Sequence, residues 1–219
     1  MGIKYQVNSS FFEKWTPEMA YILGYIFADG SLEDASYLRG KYLRITSKDE
    51  EILLKIKKIL NSSHKLQLRK PIKINFKKST YFSKVLYLLR IGDHKIFDDL
   101  INLGVTTRKS LTLKFPEIPT LFFPHFVRGY FDGDGSVFLT KNNLLLTVFT
   151  CGNSLFLENL SEKLSKFLQI KKRPVLFCKD SYQLRYYTHD SKIVLDKIYE
   201  ESNNLFLNRK NLIYKNYYK

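Results

Sequence analysis

Residues 22–30 read ILGYIFADG, and residues 127–135 read VRGYFDGDG. The two stretches share Gly-Tyr at their third and fourth positions and Asp-Gly at their eighth and ninth. They begin 105 residues apart (127 − 22), which is close to half of the 219-residue chain. A repeat at this spacing predicts that the chain contains two copies of one structural unit.

Each copy is predicted to form an apolar α-helix that ends at its last glycine. Thr16 and Pro17 provide an N-cap and a first-turn proline for the first helix, and Pro124 suits the first turn of the second. The last glycines, Gly30 and Gly135, are expected to adopt a positive φ just beyond the helix. The sequence therefore predicts two short helices with matching ends.

Small residues recur every four positions within both predicted helices. Gly24 and Ala28 share one face of the first helix, and Gly129 and Gly133 share one face of the second. Because small residues allow two backbones to approach closely, we expect the two helices to pack together along these faces.

One acidic residue lies at the end of each predicted helix. Asp29 and Asp134 are placed where the helix macrodipole is negative and disfavours an anion. If the helices pack in parallel, both carboxylates arrive at the same end and repel each other unless a cation lies between them. Carboxylate oxygens suit a hard divalent ion such as Mg²⁺.

These paired stretches resemble the LAGLIDADG motif of homing endonucleases. A chain with two such motifs is similar to the monomeric, pseudo-symmetric branch of that family. The chain departs from the motif at Ile22-Leu23 and Val127-Arg128, which replace the opening Leu-Ala, and at Phe27, where the second copy has Asp132. The family's functional acid precedes the last glycine, so we expect Asp132 to have a capping or supporting role.

The resemblance implies site-specific hydrolysis of both strands of double-stranded DNA by a monomer that uses Mg²⁺ or Mn²⁺. The implied metal ligands are Asp29 and Asp134 together with the adjoining Ala28 and Gly133. Lys109 and Lys210, at equivalent places near the ends of the repeats, are candidates for the basic residues that the family places around the metal-bound water. They could instead be phosphate contacts or surface lysines. Ser47 could orient water or cap a helix.

Two other functions remain open at this stage. One is a DNA-binding regulator on a degenerate LAGLIDADG scaffold, although such proteins typically lose the acids that Asp29 and Asp134 retain. The other is an intron RNA maturase. Relatives are encoded in introns or inteins, and the lack of splicing-type termini favours a freestanding chain.

Composition narrows the class of protein. The chain has 36 Lys and Arg residues against 21 Asp and Glu, a net charge of +15 that favours a polyanionic partner. No apolar run of about 18 residues and no signal-peptide core are apparent, so neither a membrane span nor secretion is expected. Cys151 and Cys178 are too few for a disulfide framework, which fits a reducing, intracellular compartment.

The predicted fold class is α+β, with two tandem αββαββα repeats and antiparallel sheets. We place the first repeat at residues 1–104, a linker with Pro116 and Pro119 at 105–123, and the second repeat at 124–219. Residues 66–78 are predicted to form one strand that pairs with 81–91. Ser47 to Glu50 reads as a capping box for the helix that follows.

Polar and basic side chains alternate with apolar ones along the predicted strands. Such strands bury one face and expose the other, and a two-stranded ribbon fits the major groove of DNA. A solvated face is the alternative for any antiparallel sheet. Lys172 and Arg173 lie on predicted strands, and the candidate DNA-binding residues are Lys41, Arg44, Arg69, Lys73, Asn75, Lys77, Lys179, Gln183 and Arg185.

Overall fold

The structure, a computed structural model, describes residues 5–38, 40–76, 79–106 and 113–217. It contains two four-stranded antiparallel sheets of identical topology, which confirms the predicted α+β fold of two tandem units. None of the helices in the described residues has the length and apolar character needed to cross a bilayer.

The first unit contains a four-stranded sheet of order β1-β2-β6-β3, three helices and a separate two-stranded ribbon of β4 and β5. Its elements are α1 (Pro17–Asp29), β1 (Gly30–Ala35), β2 (Gly40–Ser47), α2 (Glu50–Ile59), β3 (Leu66–Arg69), β4 (Lys73–Phe76), β5 (Ser79–Phe82), β6 (Leu86–Gly92) and α3 (His94–Asn102). A short 3-10 helix, Ser36–Leu38, follows β1.

The second unit repeats this order, with a sheet of order β7-β8-β10-β9 and no separate ribbon among its described strands. Its elements are α4 (Phe123–Asp134), β7 (Gly135–Leu139), β8 (Leu145–Cys151), α5 (Ser154–Leu168), β9 (Val175–Cys178), β10 (Ser181–Tyr187) and α6 (Thr188–Tyr199). A further helix, α7 (Asn208–Asn216), was not anticipated from the sequence.

The two motif helices, α1 and α4, pack in parallel through their small residues. A Cβ placed on Gly24 would lie 2.1 Å from the carbonyl oxygen of Phe126, and one on Gly129 would lie 1.9 Å from that of Tyr21. Neither position can hold a side chain without moving a backbone. The predicted close packing of the two helices is therefore confirmed.

The glycines that end the motifs adopt a different conformation from the one predicted. Gly30 has φ −88° and Gly135 has φ −87°, so both are extended, because each one begins a strand immediately after its helix. Glycine is required at these two positions because a side chain would not fit. A Cβ on Gly30 would lie 2.8 Å from backbone atoms of Ile26, and one on Gly135 would lie 2.5 Å from the carbonyl oxygen of Phe131.

The predicted strand at 66–78 is divided in two. β3 joins the four-stranded sheet, whereas β4 belongs to the ribbon. Pro71 lies in the interval and has no N–H to donate to a ladder, which explains the break. Hydrogen bonds between Ile72 and Ser83, including Ser83 N–H to the Ile72 carbonyl at 2.9 Å, close the base of the ribbon.

The predicted capping box at Ser47 to Glu50 is wrong. Asp49 is the N-cap of α2, and Ser47 Oγ instead accepts from Asp49 N–H at 3.1 Å and from the Tyr25 hydroxyl at 2.9 Å. The predicted cap of α1 is present, since Thr16 Oγ1 accepts from Met19 N–H at 3.1 Å. Ser47 is thereby tied to α1 rather than to the helix that follows it.

Each sheet packs one face against helices of its own unit and leaves the other face open. Leu43, Ile45 and Leu89 fill the packed face of the first sheet, and Phe149 and Leu184 fill that of the second. By strand alternation and register, the first open face carries Glu33, Tyr42, Arg44, Gln67, Arg69 and Arg90. The second open face carries Ser136, Phe138, Thr150, Leu176, Gln183, Arg185 and Tyr187.

We predict that Gly24→Ala and Gly129→Ala each destabilise the protein, because the new Cβ would displace a backbone carbonyl. Overpacking of this kind costs roughly 1–3 kcal/mol or more. Thermal melting measures the effect. Gly92→Ala is the matched control, since its Cβ would meet only the movable ring of Tyr42, at 3.0 Å. An unchanged melting temperature in both helix variants would contradict the packing described.

Candidate active site

The two predicted acids lie side by side where α1 and α4 end. Asp29 is the last residue of α1 and is half-buried, and Asp134 is the last residue of α4 and is exposed. A Cβ on Gly133 would lie 2.2 Å from that of Ala28 and 3.5 Å from Asp29 Oδ2, so the helix ends are in contact. Both acids border one cleft of about 250 Å³.

The donors in this cleft suit a hard divalent cation. Their oxygens come from carboxylates and hydroxyls, and soft sulfur donors are absent from the cleft's described lining. No group of three or more His, Cys, Asp or Glu side chains in the described residues forms a metal site by itself. An ion held by Asp29 and Asp134 would therefore need carbonyl, water or phosphate oxygens as further ligands.

Each motif helix carries a buried tyrosine that hydrogen-bonds to a strand of its own sheet. Burial raises the pKa of Tyr25, and the Asp29 carboxylate raises it further, so its hydroxyl stays protonated and donates to Ser47 Oγ. In the second unit, the Tyr130 hydroxyl donates to the Thr150 carbonyl at 2.7 Å. Each motif helix is thus bonded to the second strand of its own sheet.

Lys210 faces inward rather than into the cleft. It is 3% exposed, and Nζ donates to the carbonyl oxygens of Phe131, Asp132 and Gly135 at 2.5, 2.8 and 2.6 Å. Burial lowers the pKa of Lys210 to about 8, against the attraction of the Asp132 carboxylate. All three ammonium donors are occupied, so Lys210 caps the C-terminus of α4 and fixes the turn that carries Asp134.

The carboxylate of Asp132 has the capping role expected of it. Its Oδ2 accepts from the Tyr21 hydroxyl at 2.8 Å and from the N–H of Leu207, the N-cap residue of α7, at 2.9 Å. Burial raises the pKa of Asp132, and Lys210 is the largest of the influences that oppose this rise. Asp132 therefore joins both motif helices to α7.

Arg128, a departure from the family motif, is a buried structural cation. Its guanidinium donates to the carbonyl oxygens of Leu205 and Ile198 at 2.9 and 2.8 Å and lies 3.1 Å from His125 Nδ1. These contacts hold the end of α6 and the segment that follows it against α4. Burial lowers the pKa of Arg128.

Two basic residues that sequence reasoning did not select border the cleft. Arg209, the neighbour of Lys210, extends to Asp49 of the first unit, with contacts of 3.0 and 3.1 Å from Nε and 3.0 Å from a terminal nitrogen. The hydrogen bond to Asp49 raises the pKa of Arg209. Lys48 is exposed at the same cleft. The matching pairs at 108–109 and 209–210 were the available signal. It selected Lys210, which is buried, rather than Arg209, which borders the cleft.

Three candidates cannot be placed in full. Lys109 and Lys77 lie outside the described residues. Asn75 has a described backbone within β4 but no described side chain. Lys73, on the same strand, is exposed.

Several predicted DNA-binding residues are not on an open face. Lys41 lies on the packed face, where Nζ contacts Asp98 at 2.6 Å and lies over the ring of Phe97 on α3. Lys179 lies in the turn between β9 and β10 with φ +58°, not on a strand. Lys172 and Arg173 precede β9, and Arg173 pairs with Asp190 on α6. The alternation of polar and apolar residues placed these side chains wrongly, because they lie at the ends of strands or outside the strands.

The remaining candidates do lie on the open faces, which differ in chemistry. Arg44 and Arg69 are on the first, and Gln183 and Arg185 are on the second, where Gln183 Oε1 accepts from Arg185 at 3.0 and 2.7 Å. The second open face also exposes the apolar side chains of Phe138, Leu176 and Tyr187 by 44%, 43% and 47%.

We predict that Lys210→Met lowers the melting temperature, since it leaves buried carbonyl groups at the end of α4 without donors. One unsatisfied buried group costs about 1–3 kcal/mol. Arg209→Met is the control, because its side chain is 56% exposed and an exposed ion pair contributes at most about 1 kcal/mol. Equal melting temperatures for wild type and Lys210→Met would show that the lysine does not cap the helix.

Comparison with known proteins finds no matching family model. A probable translation initiation factor IF-2 of Methanocaldococcus jannaschii is 29% identical over 177 residues, which is 75% of this chain and 13% of that protein. The chain therefore spans only a small part of this curated relative.

Solved structures show stronger likeness in fold. The homing endonuclease I-WcaI, bound to its DNA recognition sequence, is 15% identical with a TM-score of 0.59 over 94% of this chain and 90% of its own. I-DmoI in complex with DNA and Ca is 19% identical with a TM-score of 0.51, covering 90% of each chain. The N-terminal LAGLIDADG domain of WhiA is 14% identical with a TM-score of 0.52, covering 87% of each. The chain has the two-unit fold of the LAGLIDADG homing endonucleases.

Proposed function

We propose that this chain is a site-specific endonuclease that hydrolyses both strands of DNA at a long target site. The observation that carries this proposal is the pair of carboxylates, Asp29 and Asp134, held at the touching ends of two helices. One chain supplies both acids, which favours a monomer. We also propose residues 1–104 and 124–219 as the two repeats, joined by 105–123.

Asp29 and Asp134 would hold Mg²⁺ or Mn²⁺, with backbone oxygens at Ala28 and Gly133 as further donors. A bound divalent ion supplies polarisation of the phosphate, a more acidic water and stabilisation of the leaving oxygen. Both acids lie at negative helix ends, which raises their attraction for a cation.

The other side chains of the cleft have supporting roles in this proposal. Arg209 and Lys48 place positive charge on the rim, where a phosphate would approach. The contact between Arg209 and Asp49 fixes the guanidinium across the two units. Ser47, buried beside Tyr25, is a candidate to orient a water molecule. Lys210 acts on this chemistry only through the position of Asp134.

The double-stranded DNA partner is supported by three further features. I-WcaI and I-DmoI have this fold and are bound to DNA, the latter together with Ca. The net charge of +15 favours a polyanion. Each unit also presents an open sheet face, and β-strands can enter the major groove.

Two alternatives are less well supported. A DNA-binding regulator does not need two carboxylates that repel each other at negative helix ends. Their presence therefore disfavours that role. Intron RNA as an additional partner rests on positive charge alone, and competition between intron RNA and the DNA target would test it.

We predict that Asp29→Asn and Asp134→Asn each abolish double-strand cleavage while preserving DNA binding and the melting temperature. The change removes a charged metal donor without altering side-chain shape. Cleavage of a duplex selected from a randomised library measures activity. Asp98→Asn is the control, since this exposed acid lies on α3, away from the cleft. Unimpaired cutting by either site variant would refute the metal assignment.

We predict that DNA affinity falls steeply with salt. A protein making about 6–10 phosphate contacts loses roughly 10³–10⁵ in affinity between 50 and 200 mM salt. Replacing a phosphate-contacting residue by alanine should lower the slope of log affinity against log salt concentration by about one unit for all sequences. Replacing a base-reading residue should instead relax the sequence preference at one base position. The variants are at Lys73, Asn75, Lys77, Gln183 and Arg185.

The matched control for that series is Lys166→Ala, which removes a 75% exposed lysine on the outer helix α5. Binding to a selected and a scrambled duplex is measured at several salt concentrations. If none of the five variants changes affinity, slope or specificity more than the control does, neither residues 73–77 nor the second open face contact the DNA.

A further inference from the structure

The first open face contains a charged cluster that the cleavage site does not use. Glu33 on β1, Tyr42 and Arg44 on β2 and Arg90 on β6 meet there, with Glu33 opposite Tyr42 and Arg44 opposite Arg90 in the register. The side chains of Glu33, Arg44 and Arg90 are 37%, 33% and 34% exposed, so they are restrained and still accessible.

Two contacts fix the plane of the Arg90 guanidinium. Its Nε and one terminal nitrogen donate to the two oxygens of Glu33 at 3.3 and 3.1 Å. Its Cζ lies 3.4 Å from the centre of the Tyr42 ring, which places the guanidinium over the aromatic face. Guanidinium has five N–H donors, so this side-on pairing leaves three, including a fork on the outer edge.

The cluster keeps an excess of positive charge. Glu33 also lies 3.6 Å from Arg44, so one carboxylate faces two guanidinium groups. Hydrogen bonding from Arg90 lowers the pKa of Glu33, which is therefore ionised at neutral pH. Among the described residues, the buried Nε of Arg44 has no hydrogen-bond partner. The arrangement is a restrained cation rather than a fully neutralised ion pair.

Arg90 borders open space. A cleft of about 330 Å³ lies beside it on the same face, bordered also by Tyr42, Lys65 and Gln67. A planar acceptor can therefore approach the fork without displacing Glu33 or Tyr42.

We infer that Arg90 reads a guanine in the major groove of the half-site bound by the first sheet, with Glu33 and Tyr42 as positioning residues. Guanine presents two acceptors, O6 and N7, that match an arginine fork, whereas adenine presents a donor beside its acceptor. Because Arg90 is already oriented, binding costs little side-chain freedom. This inference rests on the proposed function and assigns a G·C pair to the target.

The first test is selection of bound duplexes from a randomised library in the presence of EDTA, which prevents metal-dependent cleavage. Wild type should enrich guanine at one position. Arg90→Met, which keeps an unbranched side chain but has no hydrogen-bond donor, should weaken that preference by roughly 5- to 150-fold, the value of one bidentate contact. Lys166→Ala, which removes an exposed lysine on the outer helix α5, is the control and should keep it.

The second test changes the DNA base and compares wild type with the same Arg90 variant. Replacing the selected guanine by 7-deazaguanine removes the N7 acceptor, so wild-type affinity should fall, while the affinity of Arg90→Met should be unaffected. Glu33→Gln should reduce the guanine preference and raise affinity for a scrambled duplex, since it removes a negative charge. If Glu33 had only a structural role, Glu33→Gln would lower both the guanine preference and the affinity for the scrambled duplex.

The outcomes separate this inference from the proposed function. If wild type enriches a sequence but 7-deazaguanine has no effect and Arg90→Met keeps every base preference, the guanine assignment is wrong and DNA recognition stands. If wild type enriches no sequence, the proposed function itself fails and the guanine assignment fails with it.

Discussion

The backbone contact between the two motif helices is the constraint on which the rest of the structure depends. Because Gly24 and Gly129 have no side chains, each helix lies against carbonyl groups of the other. Because the helices are parallel and this close, their last residues, Asp29 and Asp134, lie next to each other. Their repulsion at two negative helix ends is an electrostatic cost, and a cation offsets it most directly.

One short segment near the end of the second unit stabilises that arrangement. Leu205, Leu207 and Lys210 each bond to α4, through Arg128, Asp132 and the last carbonyl groups of the helix respectively. Arg209, between them, reaches Asp49 of the first unit. The same few residues therefore set the position of Asp134 and link the two units.

Short-range patterns made the helices, the duplication and the acid pair predictable, because residue spacing alone decides which side chains share a helix face. The direction in which a side chain points at the end of a helix or strand was not predictable from the sequence. Lys210 and Arg209 are adjacent, yet a rotation of one helical residue turns one inward and the other to the cleft. Lys41 was misplaced because strand alternation does not reveal that Asp98 of α3 lies beside it. The conformation of Gly30 depended on the strand that follows.

Duplication within one chain frees the two open faces to differ while the acid pair stays fixed. The first face holds an oriented arginine, Arg90, and the second exposes Phe138, Leu176 and Tyr187. Arginine forks match guanine, whereas apolar side chains suit the methyl group of thymine. Under the proposed function, two faces of such unlike chemistry fit a target whose halves differ in sequence. A dimer of identical subunits would present the same face twice and could not distinguish the two halves in this way.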